Sequence, residues 1–272
     1  MPVTLNGSTQ YLDNGGNVDS EGEGDSPLGI DTKNFYPGAM SASIWVKPTD
    51  TATTRIFFQH GRKGSTSFIA TLAILADESV RQYCGGQSSD KYQTSSELVD
   101  VDAWNHIGAV WNGTAGVLYV NGVKISFTST SSYSDAAADE WRMLLGASRT
   151  TGAASSWLAG KLAHAAIWNA ALSDANFEAL LTSLPSAVEA GSLRSYWPLV
   201  ADGNDTILTG DPAAPRLNLV SQPESWIGGA QPSFSADDGP PISASAVPPR
   251  RNPVVVSMPG DLTLQRQALL LV

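Results

Sequence analysis

Reactive side chains are few in this sequence: three histidines, one cysteine and 26 carboxylates among 272 residues. Retaining cleavage of a glycosidic bond needs two carboxyl groups about 5 Å apart, which alternate positions on one strand provide. Asp100 and Asp102 alternate in this way, but they run directly into Trp104 and read as acids of a connecting loop. Glu78, Glu97 and Glu140 each stand alone among turn-forming residues. His60, His106 and His164 fall on predicted strands with no cysteine or acid at ligand spacing, so packed, hydrogen-bonded imidazoles are expected there. Cys84 has no second cysteine to pair with and reads as a small hydrophobe rather than a nucleophile. H-E-x-x-H, G-x-S-x-G and P-loop patterns are absent. The expectation is a chain without a catalytic centre, a cofactor or a metal.

Two groups of residues suit binding better than catalysis. Asp19-Ser20-Glu21-Gly22-Glu23-Gly24-Asp25 alternates oxygen ligands around glycine like the first half of a calcium loop. Its twelfth position is Ile30 where glutamate is required, with Asp31 one place off, so a solvated acidic insertion is expected. Tyr92, Tyr133, Trp141 and Trp157 adjoin clusters of loop residues, where rings can stack on sugar faces. They form a candidate glycan rim, although packing in the core accounts for Trp157 equally well.

These residues must be held by strands. Short runs rich in Val, Ile, Trp and Tyr recur at 43–47, 54–60, 67–75, 105–111, 117–127, 142–147 and 157–168, separated by Gly, Asn, Asp, Ser and Thr. That rhythm predicts an antiparallel sandwich. Asn121-Gly122 suits the two positive-φ positions of a type I′ turn. Before it, Leu118 and Val120 share one face and Val117 and Tyr119 the other, so both faces of this hairpin are expected to be covered. One helix is predicted, capped by Ser173 and carrying Phe177, Leu180, Leu181 and Leu184 before Pro185 stops it, with its stripe on the sandwich edge. Leu193–Leu199 reads as a last strand.

Four segments carry a family resemblance. Leu5–Leu12 and Ser43-Ile44-Trp45-Val46-Lys47-Pro48 resemble the opening and second strands of laminin-G-like, concanavalin A-like lectin/glucanase domains. Trp104-Asn105-His106-Ile107-Gly108 with Leu118-Tyr119-Val120-Asn121-Gly122 is similar to their central pattern. Leu158–Trp168 followed by Ala171-Leu172-Ser173-Asp174 is similar to their closing strand and helix. The resemblance implies an all-β, antiparallel jelly-roll sandwich with one short helix, here with an extended C-terminal arm. Glucanase relatives carry an E-x-D-x-x-E strand, which this chain lacks, so the resemblance implies binding or structure and not hydrolysis. The late Tyr196-Trp197-Pro198-Leu199 strand, Thr206–Pro212 and Ala236–Ile242 resemble proteins carrying this domain among tailed-phage structural genes.

Charge and proline divide the chain. Residues 1–212 hold 12 basic and 22 acidic side chains, and the remainder is neutral. An acidic body excludes a nucleic-acid surface and disfavours anionic membranes, and no apolar run approaches the roughly 20 residues of a membrane helix. Met1–Gly7 shows neither a basic stretch nor an apolar signal core. Nine of the 16 prolines lie within 213–272. The expected division is a sandwich at 1–212, a Pro/Gly-rich extension at 213–242 and an inter-subunit arm at 243–272. The arm would add strands to a neighbour through Val254, Val255, Val256, Leu262, Leu264, Leu269, Leu270 and Leu271. The first expectation is therefore a non-enzymatic structural protein of a phage virion, a head decoration or tail component assembled in the host cytoplasm. Its partners would be other virion proteins and copies of itself. The alternative is an extracellular carbohydrate-binding or adhesion module for cell-surface glycans.

Overall fold

The computed structural model describes residues 2–13, 39–62, 68–84, 92–112, 115–128, 141–148, 154–199, 220–223, 233–234, 240 and 242. Fifteen strands and one α-helix follow in chain order among them. The strands are β1 Val3–Asn6, β2 Gln10–Asp13, β3 Ala39–Pro48, β4 Arg55–Arg62, β5 Phe68–Ile74, β6 Ser79–Cys84, β7 Tyr92–Leu98, β8 Asn105–Asn112, β9 Ala115–Val120 and β10 Val123–Thr128. They continue as β11 Trp141–Leu145, β12 Ala159–Trp168, β13 Leu193–Trp197, β14 Val220–Pro223 and β15 Ser233–Phe234; the helix α1 spans Asp174–Leu180. Sheet A runs β10-β9-β8-β3-β12-β1-β15, with β13 also paired to β12; sheet B runs β14-β2-β11-β4-β5-β6-β7. All these pairings are antiparallel. The jelly-roll sandwich expected from the sequence is the observed fold.

The core lies between the two sheets. Met40, Ala42, Ile44 and Val46 alternate along β3 into it, meeting Ile107, Ala109 and Trp111 of β8 and Leu118 and Val120 of β9. Sheet B answers with Leu12, Phe58, Leu72, Ile74, Val80 and Leu145. Phe58 stacks on Trp111 at 6.0 Å between ring centroids. Burying each such side chain stabilises the sandwich by about 1.5–3 kcal/mol.

The outer face of sheet A is covered as well. Val110, Tyr119, Ala166, Trp168, Leu193 and Tyr196 form a second cluster with Phe177 and Leu180 of α1. Ser173 caps the helix, its Oγ accepting from Asn176 N–H while Asn176 Oδ1 accepts from Ser173 N–H. Phe177 stacks on Tyr119 at 4.1 Å, and this contact seats α1 on the sheet face rather than on the predicted edge. Leu184 stays outside the stripe, 43% exposed, because the helix ends at Leu180 and Pro185 opens a short 3-10 turn.

Four further differences from the sequence reading have physical causes. The opening segment is two strands in different sheets. Asn6 Oδ1 accepts from both Ser8 and Thr9 N–H, and Gly7 turns at φ +74° against Ala159, where a Cβ would lie 2.6 Å from the alanine methyl. The run at 117–127 is two strands, β9 and β10, joined by the Asn121-Gly122 turn at the φ values of +50° and +82° that type I′ requires; β8 and β9 pair as a separate hairpin. β6 and β7 were not anticipated, because polar residues populate them. Finally, β14 pairs with β2 and β15 with β1, so two short stretches of the 213–242 extension lie on the sheets. The arm at 243–272 lies outside the described residues.

Gly108 sits under Phe177, and a Cβ there would come within 2.4 Å of its ring. Gly108→Ala is expected to cost about 1–3 kcal/mol of stability by overpacking, measured by urea unfolding. In a Phe177→Leu background the added methyl has room, so the cost of the alanine should shrink. Equal cost in both backgrounds would show that the helix is not seated through this contact.

Candidate functional site

The outer face of sheet B carries a row of polar and aromatic side chains built from strand register. Gln59 on β4 pairs with Thr71 on β5, and Thr71 with Tyr83 on β6; one row along, Ala73 pairs with Arg81 and Arg81 with Thr94 on β7. Cross-strand partners share a face, and neighbouring Leu72 and Val80 enter the core, so these residues point outward. Arg81 Nε donates to Thr94 Oγ1 at 3.1 Å and Nη1 to the Tyr83 hydroxyl at 3.4 Å. The guanidinium carbon lies 5.8 Å from the centre of the Tyr83 ring. Arg81, Tyr83 and Thr94 are half-buried, whereas Gln59 and Thr71 are buried.

Two bonds across the sandwich fix this strand from behind. Gln82 Nε2 donates to the Val110 carbonyl at 2.8 Å, and Trp111 Nε1 donates to the Tyr83 carbonyl at 2.9 Å. A glutamine therefore points inward and a tyrosine outward, the reverse of the pattern that sequence reading relies on. Tyr83 and Arg81 were missed for that reason. Their alternation with Val80 and Gln82 was the available signal.

The predicted rim residues are not brought together. Tyr92 sits opposite Tyr83 in the β6–β7 ladder, next to the array. Trp141 opens β11 opposite Arg62. Trp157 is half-buried and packs on Tyr11 at 5.4 Å, with Leu144, Ala147 and Ala154 around the pair. Its carbonyl accepts from Arg55 Nη1 at 3.0 Å, and Arg55 also pairs with Asp50. Tyr133, the Asp19–Asp25 loop and the eight arm residues lie outside the described residues.

The remaining chemical candidates occupy structural positions. Ser43 Oγ and His106 Nε2 are 2.8 Å apart, the reach of a nucleophile and its base, but both residues are 1% exposed and leave no approach for a substrate. Trp45 lies over the imidazole, 5.2 Å between ring centres. Burial pushes His106 down to about 3. His164 has φ +50° at an irregularity in β12, between the residues pairing with β1 and those pairing with β13. Its Nδ1 is 2.7 Å from the Tyr196 hydroxyl, and burial lowers it to about 4. Asp102 turns at φ +61° in the loop before Trp104, and Glu78 at φ +67° between β5 and β6; Glu97 lies on β7 rather than in a turn. Among the described residues no three His, Cys, Asp or Glu side chains are placed to share a metal ion. No described helix is long and apolar enough to cross a membrane.

Comparison with known proteins adds the family. The profile described as concanavalin A-like lectin/glucanases superfamily matches residues 22–176. No curated protein matches by sequence. Among solved structures, the CBM40 module of the Ruminococcus gnavus IT-sialidase bound to α2,3-sialyllactose is 14% identical, with a TM-score of 0.50 over 66% of this chain and 95% of that one. The heptameric SAP-like pentraxin of Limulus polyphemus is 14% identical over 66% of this chain and 80% of that one, with a TM-score of 0.47. Domain 4 of the Geobacillus stearothermophilus arabinanase AbnA, in complex with arabinotriose, is 20% identical over 65% and 74%, with a TM-score of 0.45.

His106 and His164 predict an acid-sensitive fold. Above pH 6.5 each is neutral whether the chain is folded or unfolded, and the stability gained by burying it neutral is complete. As pH falls below 6.5, the unfolded chain takes up protons that the folded one refuses, down to about 4 for His164 and about 3 for His106. The unfolding free energy should therefore fall with pH in that window, by at most about 1.4 kcal/mol per pH unit for each histidine. Urea titrations at stepped pH test this, and His106→Gln should flatten the slope. An unchanged slope would remove His106 from the account.

Proposed function

Because the chain belongs to the concanavalin A-like lectin/glucanases superfamily, we propose that it is a non-catalytic carbohydrate-binding module. The proposed site is the outer face of sheet B around Arg81, Tyr83 and Thr94. The observation that carries this reading is the half-buried array itself, a ring flanked by a guanidinium and a hydroxyl on a braced strand. Sugars offer C–H faces to rings and hydroxyls to planar donors, and this array supplies both kinds of partner. On the opposite sheet, α1 covers Val110, Tyr119 and Trp168 with Phe177 and Leu180. The sialidase module of the same fold is bound to α2,3-sialyllactose, which makes sialylated oligosaccharides the first probes. Recognition of glycans thus has better support than the virion role that was the first expectation from the sequence.

A glycan array on the full chain, run with and without calcium, tests the reading. Binding is expected, and Tyr83→Ala should weaken it at least tenfold, about 1.4 kcal/mol, with an unchanged circular dichroism spectrum. No binding in either condition, or equal binding by the variant, would overturn it.

A second proposal concerns how the module is carried. The prolines of 213–272 and the apolar runs at 254–256, 262–264 and 269–271 support a C-terminal arm beyond residue 242 that tethers the module to a larger assembly, such as a tailed-phage particle. Deleting 243–272 should leave the thermal unfolding midpoint of the sandwich unchanged while abolishing incorporation into particles. A lowered midpoint would instead make this segment part of the domain.

A further inference from the structure

On the other side of the sandwich, beside α1, the turn Asn121-Gly122 and the helix enclose a cleft of about 270 Å³. Tyr119, Gly122, Lys124, Asp174, Glu178 and Leu181 line it. Its size lies just below the roughly 300–1,000 Å³ typical of small-molecule sites. It shares no residue with the array on sheet B.

The cleft's polar groups differ in what they have left to offer. Asp174 Oδ1 accepts from the Tyr119 hydroxyl at 2.7 Å, and Lys124 Nζ lies 2.8 and 2.9 Å from the two carboxylate oxygens. Lys124 and then Tyr119 hold this carboxyl below its ordinary range, so Asp174 is an ionised anchor whose acceptors are already engaged. Lys124 has three N–H donors and can still present one to a ligand. Glu178 follows Asp174 by one helical turn on the same face, and its exposed carboxylate takes no hydrogen bond among the described residues. Leu181 supplies an apolar wall, its Cδ1 3.0 Å from where a Cβ on Gly122 would stand. The Ser173–Asn176 capping box occupies the Asn176 N–H at the start of α1.

This distribution selects by charge. An anion entering the cleft meets Asp174 and Glu178 together. A cation finds Asp174 already neutralised and meets the Lys124 ammonium beside Glu178, the one carboxylate left open. An uncharged polyol meets a free carboxylate that accepts from adjacent hydroxyls, an ammonium that donates to a sugar oxygen and a leucine against its C–H face. We propose that this cleft is a second ligand site, for a neutral, hydroxyl-rich molecule the size of one hexose.

The test is an amide chemical-shift titration of the full chain with the methyl glycosides of glucose, galactose and mannose at millimolar concentrations. Shifts are expected to centre on Gly122, Lys124 and Glu178 for at least one glycoside. Glu178→Ala should weaken that binding at least tenfold without lowering the thermal midpoint, since the side chain is exposed. Absence of shifts, equal binding by the variant, or stronger shifts with ethanolamine or acetate would overturn the proposal. Shifts centred on β6 and β7 would also overturn it while leaving the sheet B site standing.

Discussion

Sheet A is buried on both faces over its central strands, and hydrogen bonds inside the protein pair polar groups trapped on β3, β8 and the β9–β10 turn. Ser41 Oγ donates to the Ala170 carbonyl at 2.7 Å and accepts from Leu172 N–H at 2.9 Å, tying the central strand β3 to the approach of α1. Two residues along, Ser43 meets His106. Asn121 Oδ1 accepts from His106 N–H at 2.8 Å while its amide donates to Asn105 Oδ1 at 3.0 Å. Asn105 in turn donates to the Asp100 and Ala103 carbonyls. Each such bond, if left unmade by a buried group, costs about 1–3 kcal/mol. The network therefore specifies where the loop before β8, the turn after β9 and the helix must lie, not only how strongly the sheet holds.

Covering sheet A divides the molecule chemically. Its outer face is spent on Phe177, Leu180 and Trp168, whose indole donates to the Val188 carbonyl at 2.9 Å. Where α1 stops covering the β9–β10 hairpin, Tyr119, Lys124 and Asp174 line a cleft. Sheet B is covered differently. Trp157 and Tyr11 pack over its β2–β11 side, while the β6–β7 side presents Arg81, Tyr83 and Thr94. The two proposed sites thus lie at the margins of two covered surfaces.

Sequence patterning made the shared core legible wherever burial and residue type agree. Alternating apolar residues revealed β3 and β8, the Asn-Gly pair revealed the β9–β10 turn, and Ser173 marked the start of α1. It failed where tertiary partners override local preference. β6 puts Gln82 inside because the Val110 carbonyl waits there, so its alternation looks polar on both faces. β1 and β2 look continuous because the break between them depends on Ala159, more than 150 residues away in the chain. The same failure hid the candidate site, since Tyr83 and Arg81 lie on the strand whose pattern is inverted. Tyr92, expected at a rim because it borders loop residues, pairs with Tyr83 in the ladder.

That inversion also explains why a weakly patterned strand can present a precise surface. A strand near a sheet edge gains little from ladder bonds alone and is prone to slip in register. Here a slip by one residue would withdraw Gln82 from the Val110 carbonyl and carry the Tyr83 carbonyl away from the Trp111 indole. Both broken bonds involve groups at the sandwich interior, so the penalty falls on the core and not on solvent-exposed backbone. The side chains facing outward are therefore held by contacts they do not themselves make. Arg81, Tyr83 and Thr94 can change identity without loosening β6, and that leaves the outer face open to variation in ligand while the braced register stays fixed.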